Sequence, residues 1–434
     1  MANNKDNSNN DMLQLLHHPP KSYYVSELRR HSHQGSVSKT PIIRLLDEYP
    51  LPKQPDGSVY TFAYGTAGFR YDHSLLPAVF IRMGIFAVLR STFMKEQVGI
   101  MVTASHNKEV DNGIKMADPD GGMLASHWEP LAVKLINASS TQDFLRILES
   151  LYHECDLSSP FDDDETKSTN IHDGTTMVTT IHLGRDTRSH SEFLANLSIK
   201  AAVLMGATVY DHGLVSTPQL HYITMHSNPL RLPTLIPPSG GERGYYETMV
   251  GAYVALLQTS TYYHVDSSSK HIRYLYVDSA CGVGADKVSN INNYLHYFRQ
   301  EGRNNILNLP YFVALNKPGD GPLNDHCGAE YVQKNQLFPT LYSSSIDAST
   351  ILALASLDGD ADRIVFTYRR RLDDSRQVRL LDGDKIAVLV SSFIQEEIKA
   401  LSVCITSAST LRCGVVQTAY ANGASTFYLK VGRP

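Results

Sequence analysis

Five short runs of the chain are β-prone with little polar–apolar alternation: VGIMVTA from Val98, TTIHLGRD from Thr179, RYLYVDSA from Arg273, TILALASLD from Thr350 and GVVQTA from Gly414. A strand with one wet face alternates polar and apolar residues, whereas a strand covered on both faces does not. These runs therefore predict strands buried between layers. The segments between them change period. SEFLANLSIKAAVLMG, YYETMVGAYVALLQ, GADKVSNINNYLHYF and DKIAVLVSSFIQEEIK repeat apolar residues at three and four, and Gly206 closes the first of them. That spacing is helical, and glycine just past the last apolar residue is a stop signal. Strand and helix in alternation give an α/β fold class: successive α/β domains with mainly parallel mixed sheets. In such sheets functional groups collect where strands run out into loops, at their carboxyl ends.

At 434 residues the chain exceeds one ordinary core, and about three domains are expected. A net charge of -5 offers no basic footprint, which argues against nucleic acid and anionic membrane as partners. Stretches such as VFIRMGIFAVL are short for a bilayer span and carry an arginine. The start of the chain lacks the charged-then-apolar pattern of a secretory signal. Its cysteines (Cys155, Cys281, Cys327, Cys404 and Cys413) form no CxxC pair, so reduced thiols and a cytoplasmic location are expected. MANNKDNSNNDM and HHPPKSYY bury little, which predicts a disordered or loosely attached extension over 1–54. SSPFDDDETKSTNIHDG (158–174) reads as a surface insertion, and PLRLPTLIPPSGGERG (229–244) as an irregular connection.

Two loops at strand ends carry the candidate chemistry. LASLDGDADRIVF places Asp358, Asp360 and Asp362 at every second position, with small residues between them. Crowded carboxylates repel one another unless a cation sits among them, and hard oxygen donors suit Mg²⁺. A calcium EF-hand is excluded because its sixth and twelfth loop positions hold Arg363 and Arg369. An aspartyl nucleophile at Asp358 and a solvated acidic turn remain as other readings. A second DGD at 382–384 precedes Lys385 and an amphipathic helix, and there it reads as helix entry. In the other loop, TASHNKEVDNGIK, Ser105 follows the strand beginning at Val98 with no GxSxG elbow around it. Taken alone, Ser105 or Asn107 capping a turn is the plainer reading. YGTAGFR ends in Arg70, and LGRDTR places Arg185 and Arg188 around Asp186. Arginine forks match phosphate oxygens. A serine, a Mg²⁺ loop and arginine loops together point to phosphoryl transfer through a phosphoserine.

TASHN with DNGIK, GTAGFR, GRDTR, STPQ (216–219) and DGDADR stand in the order seen in α-D-phosphohexomutases. AYGTAGFR, DNGIKMADPDGGML, TPQLHY, CGAEYV and GVVQTAYANG resemble the phosphoacetylglucosamine mutase branch of that family, over about residues 60 to 425. The resemblance implies an isomerase that interconverts N-acetylglucosamine 6-phosphate and N-acetylglucosamine 1-phosphate. The route passes through a bound 1,6-bisphosphate and feeds UDP-N-acetylglucosamine synthesis. It implies Ser105 as the phosphoserine and Asp358, Asp360 and Asp362 as holders of Mg²⁺, with the oxygen on Ser105 completing the metal's ligands. Arg70 and Arg363 would face phosphate, and His106, Lys115 and Arg70 would form the rest of the catalytic group. It also implies domain 1 over 55–215, domain 2 over 216–370 and a third from 371.

The chain departs from the family at two places. Lys108 stands where proline usually follows TASHN. After ANGASTFYLK the sequence reads VGRP, with no counterpart of the family's E-x-N-G-H-like sugar loop or RxSGTE-like phosphate clamp. The expectation is a partial third domain over 371–434, no fourth domain, and weak or no activity for this chain alone. Two alternatives follow: a non-catalytic truncated isoform that binds or competes with the full-length enzyme, and a Mg²⁺-dependent dehalogenase-like phosphatase using Asp358.

Overall fold

The computed structural model describes residues 21–23, 37–65, 68–161, 179–228, 240–259, 274–300, 309–342, 351, 353–369, 378–404, 413–418 and 421–431. The first unit contains β1 (Lys21–Tyr23), α1 (Lys39–Glu48), β2 (Phe69–Asp72), α2 (Pro77–Met94), β3 (Val98–Val102) and β4 (Asp111–Ala117), and then α3 (Glu129–Ile136), α4 (Thr141–Glu154), β5 (Thr180–Arg185), α5 (Ser191–Leu204) and β6 (Thr208–Leu214). Its sheet runs β1-β6-β5-β3-β4-β2. The second unit follows with α6 (Thr217–His226), α7 (Gly241–Thr259), β7 (Tyr274–Asp278), α8 (Gly284–Gln300), β8 (Tyr311–Leu315), α9 (Gly328–Asn335), β9 (Ala353–Leu357), β10 (Ile364–Tyr368) and β11 (Arg379–Leu381). Its sheet runs β11-β10-β9-β7-β8. Beyond it lie α10 (Gly383–Cys404) and α11 (Gly423–Val431).

Both sheets are mixed. Parallel pairing occupies the centre of the first, β3–β5–β6, and runs to one edge of the second, β9–β7–β8. Antiparallel strands lie on both sides of the first trio and on one side of the second, where β3 turns straight back into β4 and β9 into β10. That share of antiparallel pairing is larger than apolar runs alone suggest, and it matters for function. The loops 103–110 and 358–363 are hairpin connections, so each presents its side chains from two paired strands rather than from one.

The first core is built around α2, which is buried on every side from Ala78 to Ser91. It has the length and hydropathy of a bilayer span, yet most of it lies inside the protein. Gly84 lets it touch α5: a Cβ there would stand 2.5 Å from the Ser198 carbonyl oxygen. α4 adds Phe144, Ile147, Leu148 and Leu151 at helical spacing, and Ser140 caps its first turn through the Asp143 amide.

Three expectations need correction. The segment 1–54 is not a loose extension over its second half, since α1 seats Ile42, Leu45 and Leu46 in this core and Leu51 is buried too. The polarity of the first residues hid that apolar triplet; 1–20 and 24–36 lie outside the described residues. The second unit continues past 370, because β11 pairs with β10. GVVQTA forms no strand over Gly414–Thr418, where Val415 and Val416 are exposed rather than covered on two faces. Most of the expected insertion at 158–174 and of the connection at 229–244 also lies outside the described residues.

Two buried polar clusters in the first unit yield expected outcomes. Arg90 donates to both Asp118 carboxylate oxygens at 2.9 and 2.6 Å and stacks over Trp128 at 4.4 Å. Both partners are buried, so Asp118→Ala leaves a guanidinium without its counter-charge. A loss of about 3–5 kcal/mol is expected in urea unfolding. The second cluster is a chain of neutral groups. His182 Nε2 donates to Gln97 Oε1 at 2.9 Å, and His182 Nδ1 meets His212 Nε2 at 2.9 Å. Burial pushes His182 down to about 3, helped by His212, and burial pushes His212 down to about 4. Below about 6.5 the unfolded chain protonates both rings while the folded chain does not, so their contribution to stability falls as pH drops. Imidazole NMR signals of both residues are expected to show no titration between pH 7.5 and about 5.

Candidate active site

The reactive loop of the first unit begins as β3 ends. Ser105 is buried, in the left-handed region at φ 52°. Its amide donates to Thr103 Oγ1 at 2.8 Å, and its Oγ donates to Asp358 Oδ2 at 2.7 Å. That second bond joins positions 253 residues apart and links the hairpin loops of the two sheets.

On the other side Asp358 and Asp360 are buried, and Asp362 is partly open. Asp358 Oδ1 accepts the amides of Asp362 and Arg363 at 3.1 and 3.2 Å. Asp360 Oδ2 accepts Thr217 Oγ1 at 2.6 Å and Lys115 Nζ at 3.1 Å, and Lys115 also reaches Asp362 Oδ2 at 3.1 Å. Burial, followed by repulsion from Asp360 and Asp362, pushes the Asp358 carboxyl well above its usual range. Asp360 goes the other way: the Lys115 ammonium and the Thr217 hydroxyl outweigh burial and hold it down. Burial opposes the Lys115 charge, but the two carboxylates prevail and hold its ammonium above the ordinary value.

This loop fits a hard divalent cation on two grounds. One oxygen from each of the three carboxylates lies within 4.8 Å of the others. Asp360 Oδ1 is buried without any hydrogen-bond partner, a costly state for a carboxylate oxygen that a metal would relieve.

Arg363 follows the loop, pairs with Glu330 at 3.0 Å, and donates to His106 Nδ1. Burial, followed by the Arg363 charge, keeps His106 below its usual value, in accord with an imidazole that accepts at Nδ1 and carries its proton on Nε2. Arg70 on β2 faces the same centre. Burial lowers its pKa against the pull of Asp360 and Asp362, and its buried Nε has no partner. The structure therefore gathers Arg70, Ser105, His106, Lys115, Asp358, Asp360, Asp362 and Arg363 at one junction.

LGRDTR behaves differently from the phosphate-facing reading. Arg188 is buried, pairs with Asp186, and donates to the carbonyls of Ser105 and Asn107 at 3.2 and 2.8 Å. Arg185 pairs with Asp211 at 3.3 Å and Glu192 at 3.5 Å. Both are committed to the protein, because an acid lies beside each. STPQ starts α6 with a Ser216–Gln219 capping box, which delivers Thr217 to Asp360. The second DGD is helix entry, with Asp382 accepting the Lys385 amide at 3.0 Å. Thr217, Glu330 and Asn324 are members the sequence reading missed; Asn324 donates to the carbonyls of Ser105 and Asn107 at 2.8 and 2.9 Å. STPQ and CGAEYV were visible as motifs, but nothing in their spacing shows that they meet the carboxylate loop.

Comparison with known proteins gives a consistent picture. Residues 81–143 and 170–232 match the family "Phosphoglucomutase/phosphomannomutase, alpha/beta/alpha domain I". Residues 236–365 and 382–433 match "Phosphoacetylglucosamine mutase AMG1", domains II and III respectively. The human phosphoacetylglucosamine mutase is 38% identical over 386 residues, covering 88% of this chain and 60% of the human protein. The Saccharomyces cerevisiae enzyme is 38% identical over 380 residues, covering 85% and 61%. The Aspergillus fumigatus N-acetylphosphoglucosamine mutase, solved in complex with GlcNAc-6P and magnesium, superposes with a TM-score of 0.70 at 34% identity, over 91% of this chain and 64% of that one. An apo-form N-acetylglucosamine-phosphate mutase of the α-D-phosphohexomutase superfamily gives a TM-score of 0.68 at 31% identity, over 91% and 75%. The chain thus spans 60–61% of the length of the human and yeast relatives.

Proposed function

Since the chain belongs to the phosphoacetylglucosamine mutase branch of the α-D-phosphohexomutases, we propose that it carries that enzyme's phosphoryl-transfer centre, with Ser105 as the phosphate carrier. The carrying observation is the 2.7 Å bond between Ser105 Oγ and Asp358 Oδ2, which sets the serine against the three carboxylates. Asp358, Asp360 and Asp362 would hold Mg²⁺, with an oxygen of phosphorylated Ser105 as a further ligand. When bound, the cation offsets the carboxylate charge and polarises the phosphoryl group. Lys115 would give its Nζ proton to the serine oxygen as the phosphoryl group passes to a sugar hydroxyl, and would regain a proton as that hydroxyl gives up its own. Arg363 and Arg70 bring positive charge to the phosphate oxygens, and His106 offers its Nε2 proton. The substrates are N-acetylglucosamine 6-phosphate and 1-phosphate with the 1,6-bisphosphate between them, as expected for the branch. The Aspergillus enzyme has been solved with GlcNAc-6P and magnesium and, in another structure, with glucose 1,6-bisphosphate.

The phosphatase alternative fits the geometry less well. Asp358 Oδ2 accepts from Ser105 Oγ and its Oδ1 accepts from two amides, whereas a nucleophilic aspartate needs a free oxygen. The half-reaction tests the proposal. With glucose 1,6-bisphosphate and Mg²⁺, the chain is expected to release about one equivalent of glucose monophosphate, and none with excess EDTA. Release that EDTA leaves unchanged would count against it.

A further inference from the structure

We infer that Asn324 is a positioning residue for the phosphoserine loop: its carboxamide, opposite the Arg188 guanidinium, clamps the carbonyls on both sides of His106 and fixes where Ser105 stands. The inference rests on the reading of Ser105 as the phosphate carrier. Ser105 holds a left-handed backbone at φ 52°, a conformation a non-glycine residue keeps only where its surroundings over-determine it. The surroundings here are two donors from two units. The Ser105 carbonyl accepts Asn324 Nδ2 at 2.8 Å and Arg188 Nη2 at 3.2 Å. The Asn107 carbonyl accepts the same two groups at 2.9 and 2.8 Å. A carbonyl has two lone pairs and an amide nitrogen two protons, so every position in this square is used. Both partners of Asn324 are acceptors, which fixes the orientation of its amide on chemical grounds.

Each donor is itself anchored. Arg188 pairs with Asp186, which also accepts Thr103 Oγ1 at 2.7 Å and Ser191 Oγ at 2.7 Å. Asn324 sits in the left-handed region at φ 56°, where asparagine is favoured, and its backbone N–H donates to the Ala280 carbonyl at 3.0 Å. The clamp also touches the carboxylate loop. A Cβ on Gly359, between Asp358 and Asp360, would stand 2.8 Å from both Asn324 Nδ2 and the Ser105 carbonyl oxygen. Asn324 thus sets the spacing between the serine and the carboxylates while touching neither side chain.

Asn324→Asp in the full chain keeps the shape, removes both donors and puts an acceptor against two carbonyls. Hydrogen exchange at the Ser105 and Asn107 amides is expected to speed up by about tenfold or more, since both bond within the loop. The maximal rate of phosphate uptake from glucose 1,6-bisphosphate is expected to fall by roughly 10- to 100-fold, with the half-saturating concentration little changed. Asn324→Ala, which adds no charge, is expected to show the same pattern and serves if the aspartate variant unfolds. Unchanged loop exchange in a folded variant overturns the inference, as does wild-type uptake speed in either variant. If the wild-type chain takes up no phosphate while the variants still loosen the loop, the clamp stands and the phosphoserine reading falls.

Discussion

Ser105→Ala is expected to abolish phosphate uptake by the chain, a loss of about a thousandfold or more, because no other group on the loop replaces the carrier oxygen. The fold is expected to survive. Alanine keeps the Thr103 contact, which is made by the backbone amide, and both carbonyls of the clamp. What is lost is one donor to Asp358, a carboxyl already pressed towards its protonated form. A thermal midpoint close to wild type beside a dead half-reaction would mark the serine as chemical rather than structural. The phosphatase alternative makes the opposite forecast, with Ser105→Ala still turning over and only Asp358 variants inactive.

Asp358→Asn is expected to separate stability from activity. Burial, Asp360 and Asp362 disfavour the charged Asp358. Asparagine keeps an acceptor for the Asp362 and Arg363 amides without that charge. In metal-free protein at neutral pH the variant is expected to be more stable by about 1 kcal/mol or more, because an unneeded buried charge is removed. A carboxyl whose folded pKa is raised binds more protons folded than unfolded, so its destabilising effect grows as pH rises above the ordinary carboxylate range. The advantage of asparagine should therefore shrink when unfolding is measured near pH 4. Phosphate uptake should fall by about a hundredfold or more, since a ligand of the proposed Mg²⁺ is lost. A functional site that costs stability is a common trade.

The strands that carry the site were legible because burial on both faces leaves apolar runs, as β3, β5 and β9 show. α2 was not read as a helix, since burial on all sides erases the amphipathic period. GVVQTA carried the same apolar signal as β3, but strands need partners and composition cannot show whether one is present. The site residues were legible where several reactive types shared a short loop. Arg188 misled although its acid, Asp186, stands two residues away in the same motif, whereas the Asp211 that engages Arg185 becomes its neighbour only in the fold. Asn324 gave no signal at all. Its role depends on two backbone carbonyls more than two hundred residues away, and backbone groups have no sequence signature.

The central claim, that Ser105 carries phosphate beside a Mg²⁺-binding carboxylate loop, is tested most directly by locating the phosphate. After exposure to glucose 1,6-bisphosphate and Mg²⁺, intact mass followed by peptide mapping should show a single added phosphate within TASHNKEVDNGIK, on Ser105. The same label should be lost on later addition of N-acetylglucosamine 6-phosphate. Phosphate found on Asp358, or no label on a folded, Mg²⁺-loaded chain, would contradict the account.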